Sequence, residues 1–150
     1  MIKVGLFGIG LDTYWNQFEG LFERLEGYQR YIAEKLQKYK VEVIDTGIID
    51  TPEKAHIASK NLKVNDVEVV FLFVSTYALS STVLPFAQKV KVPIIILNLQ
   101  PVAAIDYDSF NNLNDRGKMT GEWLAHCQAC SLPEIANVFN RAGIWYDLVT

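Results

Sequence analysis

Apolar residues along this chain fall into two alternating patterns. Short continuous runs predict strands buried on both faces, and apolar residues recurring every three or four positions predict the helices that cover them. Ile2 to Ile9 is a nearly unbroken apolar run that ends among Gly8 and Gly10, as expected of a central strand in a parallel sheet. From Phe18 the apolar positions recur at Phe22, Leu25, Ile32, Leu36 and Tyr39, which lie on one helical stripe. Gly20 and Gly27 would each cost about 1 kcal/mol against Ala inside a helix, so the start is placed between Tyr14 and Gly20. Val41 to Ile44 predicts a short second strand. Thr51-Pro52-Glu53 then supplies an N-cap, a proline at the first helical position and an acid in the first turn, which predicts a helix to about Leu62.

Val67 to Val74 is the strongest strand signal, Ser80 to Val90 predicts a helix flawed by Pro85, and Ile94 to Leu97 predicts a fourth strand. Asn98 to Lys118 is turn-rich. Helical patterns follow at Thr120 to Cys130 and Glu134 to Arg141, Gly143 closes the second of these, and Ile144 to Val149 predicts a fifth strand. The fold class is therefore α/β: an open, doubly wound parallel sheet of about five strands, Rossmann- or flavodoxin-like, with helices on both faces and strand order 2-1-3-4-5. No repeat, low-complexity tract or linker divides the chain, so residues 1–150 are expected to form a single Rossmann-like domain.

Composition narrows the functional classes. Half of the 150 residues are apolar and 21% are charged, which excludes intrinsic disorder. A net charge of −3 offers no footprint for a nucleic-acid backbone or an anionic membrane, so neither is expected as a partner. The longest apolar run, Val92 to Leu97, is broken by Pro93 and is far below the roughly 20 residues needed to cross a bilayer. Two cysteines three positions apart, with no signal-like segment ahead of the first strand, fit a reducing, cytoplasmic compartment.

In such sheets ligands bind beyond the C-terminal ends of the strands. The loops there read Gly8-Ile-Gly-Leu-Asp-Thr-Tyr-Trp15, Ser75-Thr-Tyr-Ala-Leu79 and Asn98-Leu-Gln-Pro101, with Asp12 the only formal charge. Gly8 and Gly10 match two glycines of the dinucleotide fingerprint, but Thr13 stands at the third and no acidic residue follows at the required distance. Sharp turning off the strand explains these glycines more simply. A Walker loop, a flavodoxin phosphate loop and the aspartate cluster of a receiver domain are all absent. Amide, hydroxyl and aromatic groups without a phosphate-directed cation suit a neutral polyol, whose hydroxyls need paired donors and acceptors and whose C–H faces stack on rings. Alternatively, Tyr14, Trp15 and Tyr77 merely cover a sheet edge or an interface.

Cys127-x-x-Cys130 provides only half of a structural zinc site. On a continuous helix Trp123, Cys127 and Cys130 share an apolar stripe, which predicts buried core thiols in preference to a redox or metal pair. Glu122 and His126 lie one turn apart on another face; they have the spacing of two ligands on a helix, but an exposed polar pair is the more economical expectation. His56 is expected at the surface without a partner.

The segments FGIGLDTYWNQFEGL, FVSTYALSS, LNLQP, NNLNDRGKMTGEWLAHCQ and LPEIANVFNRAG, in this order along the whole chain, resemble the N-terminal domain of the L-arabinose isomerase and L-fucose isomerase superfamily. The resemblance implies the substrate-lining, subunit-interface domain of a metal-dependent aldose–ketose isomerase acting on an unphosphorylated sugar. It implies Mn²⁺ in the full-length enzyme, held by later domains, with no cofactor, metal ligand or catalytic residue in this one, and a homo-oligomer with active sites between subunits. The positions it marks for substrate contact are Tyr14 with its neighbours Asp12, Thr13 and Trp15, then Thr76 and Tyr77, then Gln100. Leu11-Asp12-Thr13 departs from the polar run of the better-known arabinose isomerases, so the sugar is left open. A flavodoxin-like sugar-binding or regulatory module is the alternative.

Overall fold

Strand and helix alternate from the start of the chain: β1 (Lys3–Ile9), α1 (Leu21–Gln37), β2 (Glu42–Ile49), α2 (Pro52–Val64), β3 (Val69–Val74), α3 (Ser80–Val90) and β4 (Ile94–Leu97). Three helices follow, α4 (Tyr107–Asn111), α5 (Arg116–Leu124) and α6 (Leu132–Arg141), before β5 (Tyr146–Val149). The computed structural model describes residues 1–150. All strand pairs are parallel and the order is β2-β1-β3-β4-β5. The order therefore reverses between β1 and β3, which opens a crevice at the C-terminal ends of those two strands.

Both sheet faces are covered, unequally. On one, Phe7, Ile9, Val70, Leu72 and Ile96 meet Ala55 and Leu62 of α2, Val83 and Phe86 of α3, and Ile135 and Phe139 of α6. On the other, Leu6, Phe73 and Leu97 lie under Ile32 and Ala33 of α1. Burying a side chain such as Phe7 or Phe86 contributes about 1.5–3 kcal/mol, so the face with three helices carries most of the stabilisation. A third, smaller cluster joins Leu21 and Leu25 of α1 to Ile48, Leu124 and Ala125, with Tyr14, Trp15, Phe18 and Tyr77 packed against it. It lies beside the crevice.

Several boundaries follow from local chemistry. The Thr51 hydroxyl accepts from the Lys54 amide at 3.3 Å and Pro52 takes the first position of α2, as the sequence predicts. Pro85 lies within α3 and removes one helical donor; buried Val83, Phe86, Ala87 and Val90 hold the helix in place. Other boundaries move. The segment before α1 is a single 3-10 turn over Asp12–Tyr14, and the helix starts only after Gly20. β2 runs on to Ile49 because its register against β1 shifts between Leu6 and Gly8, opposite Gly47, whose φ of 73° lets the strand bulge and resume. The helix predicted over Thr120 to Cys130 is α5 instead: Asp115 caps it by accepting from the Lys118 amide at 2.7 Å, and it ends at Leu124.

Candidate functional site

The edge formed by the C-terminal ends of the strands is organised around two loops. The first leaves β1 at Gly10, whose amide donates to the Ile49 carbonyl at 2.9 Å. Neither Gly8 nor Gly10 has a positive φ, so sharp turning is not what these positions require. Close approach is. A Cβ on Gly10 would stand 2.9 Å from the Trp15 ring and 2.7 Å from Ile48. Trp15 packs against that backbone, and its indole N–H donates to Asp50 Oδ2 at 2.7 Å. Asp50 is buried at the end of β2, and the Lys54 ammonium stands 2.7 Å from its other oxygen. The lysine that reaches this edge is thus neutralised. The 3-10 turn is pinned by its own tryptophan, which leaves Asp12 and Thr13 exposed and Tyr14 half-buried. The Gln17 side chain closes the turn by donating to the Thr13 carbonyl at 2.6 Å.

The second loop, after β3, is wired inward. The Ser75 hydroxyl donates to the Ile9 carbonyl, and the Thr76 hydroxyl donates to the Leu124 carbonyl at 2.7 Å. The Gln128 amide, fully buried, donates to Ser75 and Ala125 carbonyls at 2.9 and 2.8 Å. Tyr77 is the one polar residue of Ser75–Tyr77 that is not fully buried, and it packs against the third cluster, as Tyr14 does. Burial, and then the adjacent Tyr77, hold the Tyr14 phenol above its ordinary value. Two phenols from two loops therefore pack on the same cluster beside the crevice.

Among the predicted contact residues, Tyr14 and Tyr77 pack against the same cluster, and Asp12, Thr13 and Gln100 are exposed. Two do not serve as predicted. Thr76 has no exposed surface and its hydroxyl is committed to Leu124, so it fixes the loop instead of meeting a ligand. Trp15 spends its N–H on Asp50 and its ring on Gly10 and Phe22, at 5.0 Å between ring centroids, and acts as a support. The residues that brace the site, Asp50 and Gln128, drew no attention in sequence. Asp50 closes the run Ile48-Ile49, a position at a strand's C-terminal end that could have flagged it.

A separate open cleft of about 530 Å³ lies between the start of α1 and α5, lined by Phe18, Gly20, Arg24, Asp115, Lys118 and Glu122 among others, and by none of the predicted contact residues. Arg24 grips Glu122 in a fork at 2.5 and 3.2 Å and holds that carboxyl below its ordinary range. His126 Nδ1 is 2.9 Å from the Glu122 carbonyl and its side chain is nearly covered, where an exposed pair was expected, while Glu122 stays partly open to the cleft. Nowhere do three or more His, Cys, Asp or Glu side chains converge as a metal site would need. Glu122 is taken by Arg24, so these donors offer no Mn²⁺ site; the resemblance places that metal on later domains. His56 is exposed as expected but has a partner, Lys89 Nζ, at 2.6 Å. Cys127 and Cys130 are disulfide-bonded and lie past the end of α5; Cys127 is buried but Cys130 is exposed, as is Trp123 within α5, so the three do not form a buried stripe. No helix is long and apolar enough to cross a membrane.

These features define an open, doubly wound α/β domain with a phenol-bearing edge, free of any unpaired cation, at its topological switch point. No protein-family model and no curated protein matches the chain. Among solved structures it is similar to the lac repressor bound to ONPG, at 11% identity and a TM-score of 0.40, over 99% of this chain and 48% of that one. A LacI family transcriptional regulator from Silicibacter pomeroyi matches at 13% identity and a TM-score of 0.35, over 99% and 58% of the two chains. A periplasmic solute binding protein of an ABC transporter from Actinobacillus succinogenes, with bound D-allose, matches at 14% and 0.35 over the same shares. The chain spans about half the length of these proteins. Strand order and register define the fold.

Proposed function

We propose that the crevice edge is a recognition surface for an unphosphorylated sugar. The observation that carries this reading is that Tyr14 and Tyr77, from separate loops, pack on one cluster, with Asp12, Thr13 and Gln100 exposed on the strand-end loops and Lys54 already paired with Asp50. Phenol rings offer faces for sugar C–H groups, and the flanking hydroxyl, carboxylate and amide offer the paired donors and acceptors that a polyol requires. A phosphate would find no free cation among these residues.

Two arrangements share this surface. In the first, the domain is a sugar-binding or regulatory module. In the second, supported by the segment resemblance, it lines the substrate pocket of an aldose–ketose isomerase whose metal ligands and subunit partners lie on other domains of a homo-oligomer. Calorimetric titration with L-arabinose, L-fucose and related aldoses separates them. A module binds at about 1 mM or tighter, whereas one wall of a shared pocket binds more weakly than about 10 mM. The isomerase arrangement further requires a Glu- and His-bearing domain encoded beyond Thr150, and aldose-to-ketose conversion by that longer protein with Mn²⁺. A stop codon after Thr150 would remove it and leave the module.

A further inference from the structure

Cys127 and Cys130 take no part in the sugar-facing surface. They sit in the turn between α5 and α6, joined as a disulfide across a Cα–Cα distance of 5.4 Å and a separation of three residues. Cross-links restrain the unfolded chain more the longer the loop they enclose, growing with the logarithm of its length, so a ring this small is at the weak end of the range. A structural staple is therefore a poor account of it.

The two sulfurs differ sharply in access. Cys127 is 1% exposed, whereas Cys130 is open to solvent. An external thiolate can reach Cys130 and is screened from Cys127. Cys130 also directly precedes Ser131, the N-cap of the ten-residue helix α6, and no side chain caps that helix end. The positive end of a helix favours a thiolate beside it, which raises the reactive fraction of Cys130 once the pair is reduced. The turn itself is braced. Gln128 donates to the Ser75 and Ala125 carbonyls, and Ser131 donates to the Thr76 carbonyl at 3.4 Å, which holds the two sulfurs near one another in the absence of their bond.

We infer that Cys127-x-x-Cys130 is a reversible thiol–disulfide exchange site, with Cys130 as the exchanging sulfur and Cys127 as the resolving one, acting on a small or protein-borne dithiol or disulfide. In the oxidising direction a thiolate of an external dithiol attacks Cys130 and forms a mixed disulfide, and the Cys127 thiolate departs and takes up a proton. The second thiol of that reagent then releases Cys130. Two electrons pass to the protein and the external dithiol becomes a disulfide. The reverse path begins with the Cys130 thiolate attacking an external disulfide and ends when Cys127 displaces the second thiolate.

The test uses the reduced chain and a nitrobenzoate aryl disulfide, with release of aryl thiolate followed by absorbance and the product followed by intact mass. Wild type should release two equivalents and return to the mass of the oxidised chain with no adduct. Cys127→Ser should release one and retain an aryl group on Cys130. Cys130→Ser, with folding checked by circular dichroism, should react at least about tenfold more slowly because Cys127 is buried. Equal rates in the two variants, or an adduct retained by wild type, overturns the assignment. In glutathione mixtures the wild-type pair should interconvert as the ratio of reduced to oxidised glutathione is varied; a pair that stays oxidised at every ratio is a staple and also overturns it.

Discussion

The backbone at Gly8 lies against the Gln29 side chain, so closely that a Cβ on Gly8 would overlap the Gln29 carbonyl oxygen and approach Ile48 to 2.8 Å. Gln29 in turn donates to Asp45 Oδ1 at 2.5 Å, which ties α1 to the bulge in β2. Gly8→Ala should destabilise the domain by about 1–3 kcal/mol, the usual cost of overpacking a filled interior. Urea unfolding checks this. Gln29→Ala in the same chain should recover part of the loss, and a double variant no more stable than additivity predicts would show that the clash lies elsewhere.

Asp50 anchors the first loop through Trp15. Asp50→Ala removes a buried acceptor from both the indole and the Lys54 ammonium, and should cost about 1.5–3 kcal/mol, the range for hydrogen bonds to charged groups. Trp123 and Trp145 are already exposed, so a red shift in fluorescence would report Trp15. Unchanged emission would mean that the loop holds without Asp50.

Gln128 bears on the second loop. Gln128→Leu keeps the volume and strips the donors from the buried Ser75 and Ala125 carbonyls, at about 1–3 kcal/mol for each one left unpaired. Amide hydrogen exchange should quicken at Thr76 and Tyr77 before it does in β1. Uniform quickening would place the defect in the whole domain.

His56 supplies a pH dependence. The charges of Lys89, then of Lys60, and a small burial penalty lower its affinity for a proton below the ordinary 6.5. The unfolded chain then binds this proton more readily than the folded one. The contribution of neutral His56 is present above the unfolded value and fades as pH falls through it toward the lower folded value. An NMR titration of His56 should give a midpoint below 6.5, and Lys89→Gln should move it upward.

Most of the fold was legible because its signals are local. Thr51-Pro52 marks a helix start wherever the helix packs, and runs such as Val69–Val74 and Ile94–Leu97 are too apolar for anything but a sheet buried on both sides. The errors arose where a distant residue decides. β2 continues past Ile44 because a bulge at Gly47 keeps Ile48 and Ile49 in register with Gly8 and Ile9. α5 stops at Leu124 although the helical pattern runs on to Cys130. The same distinction holds at the site. Its loops follow from topology and its tyrosines from composition, but whether Thr76 and Trp15 face a ligand or the interior depends on Leu124 and Asp50, which are 48 and 35 residues away.

Amide NMR mapping of a monosaccharide titration tests the central claim most directly. L-arabinose or L-fucose, at up to about 100 mM to capture weak binding, should shift Thr13, Tyr14, Tyr77 and Gln100 together, and Tyr77→Ala should weaken the response, while the corresponding sugar phosphates give no stronger one. Shifts confined to the cleft at Arg24 and Glu122, or a preference for the phosphates, would contradict it.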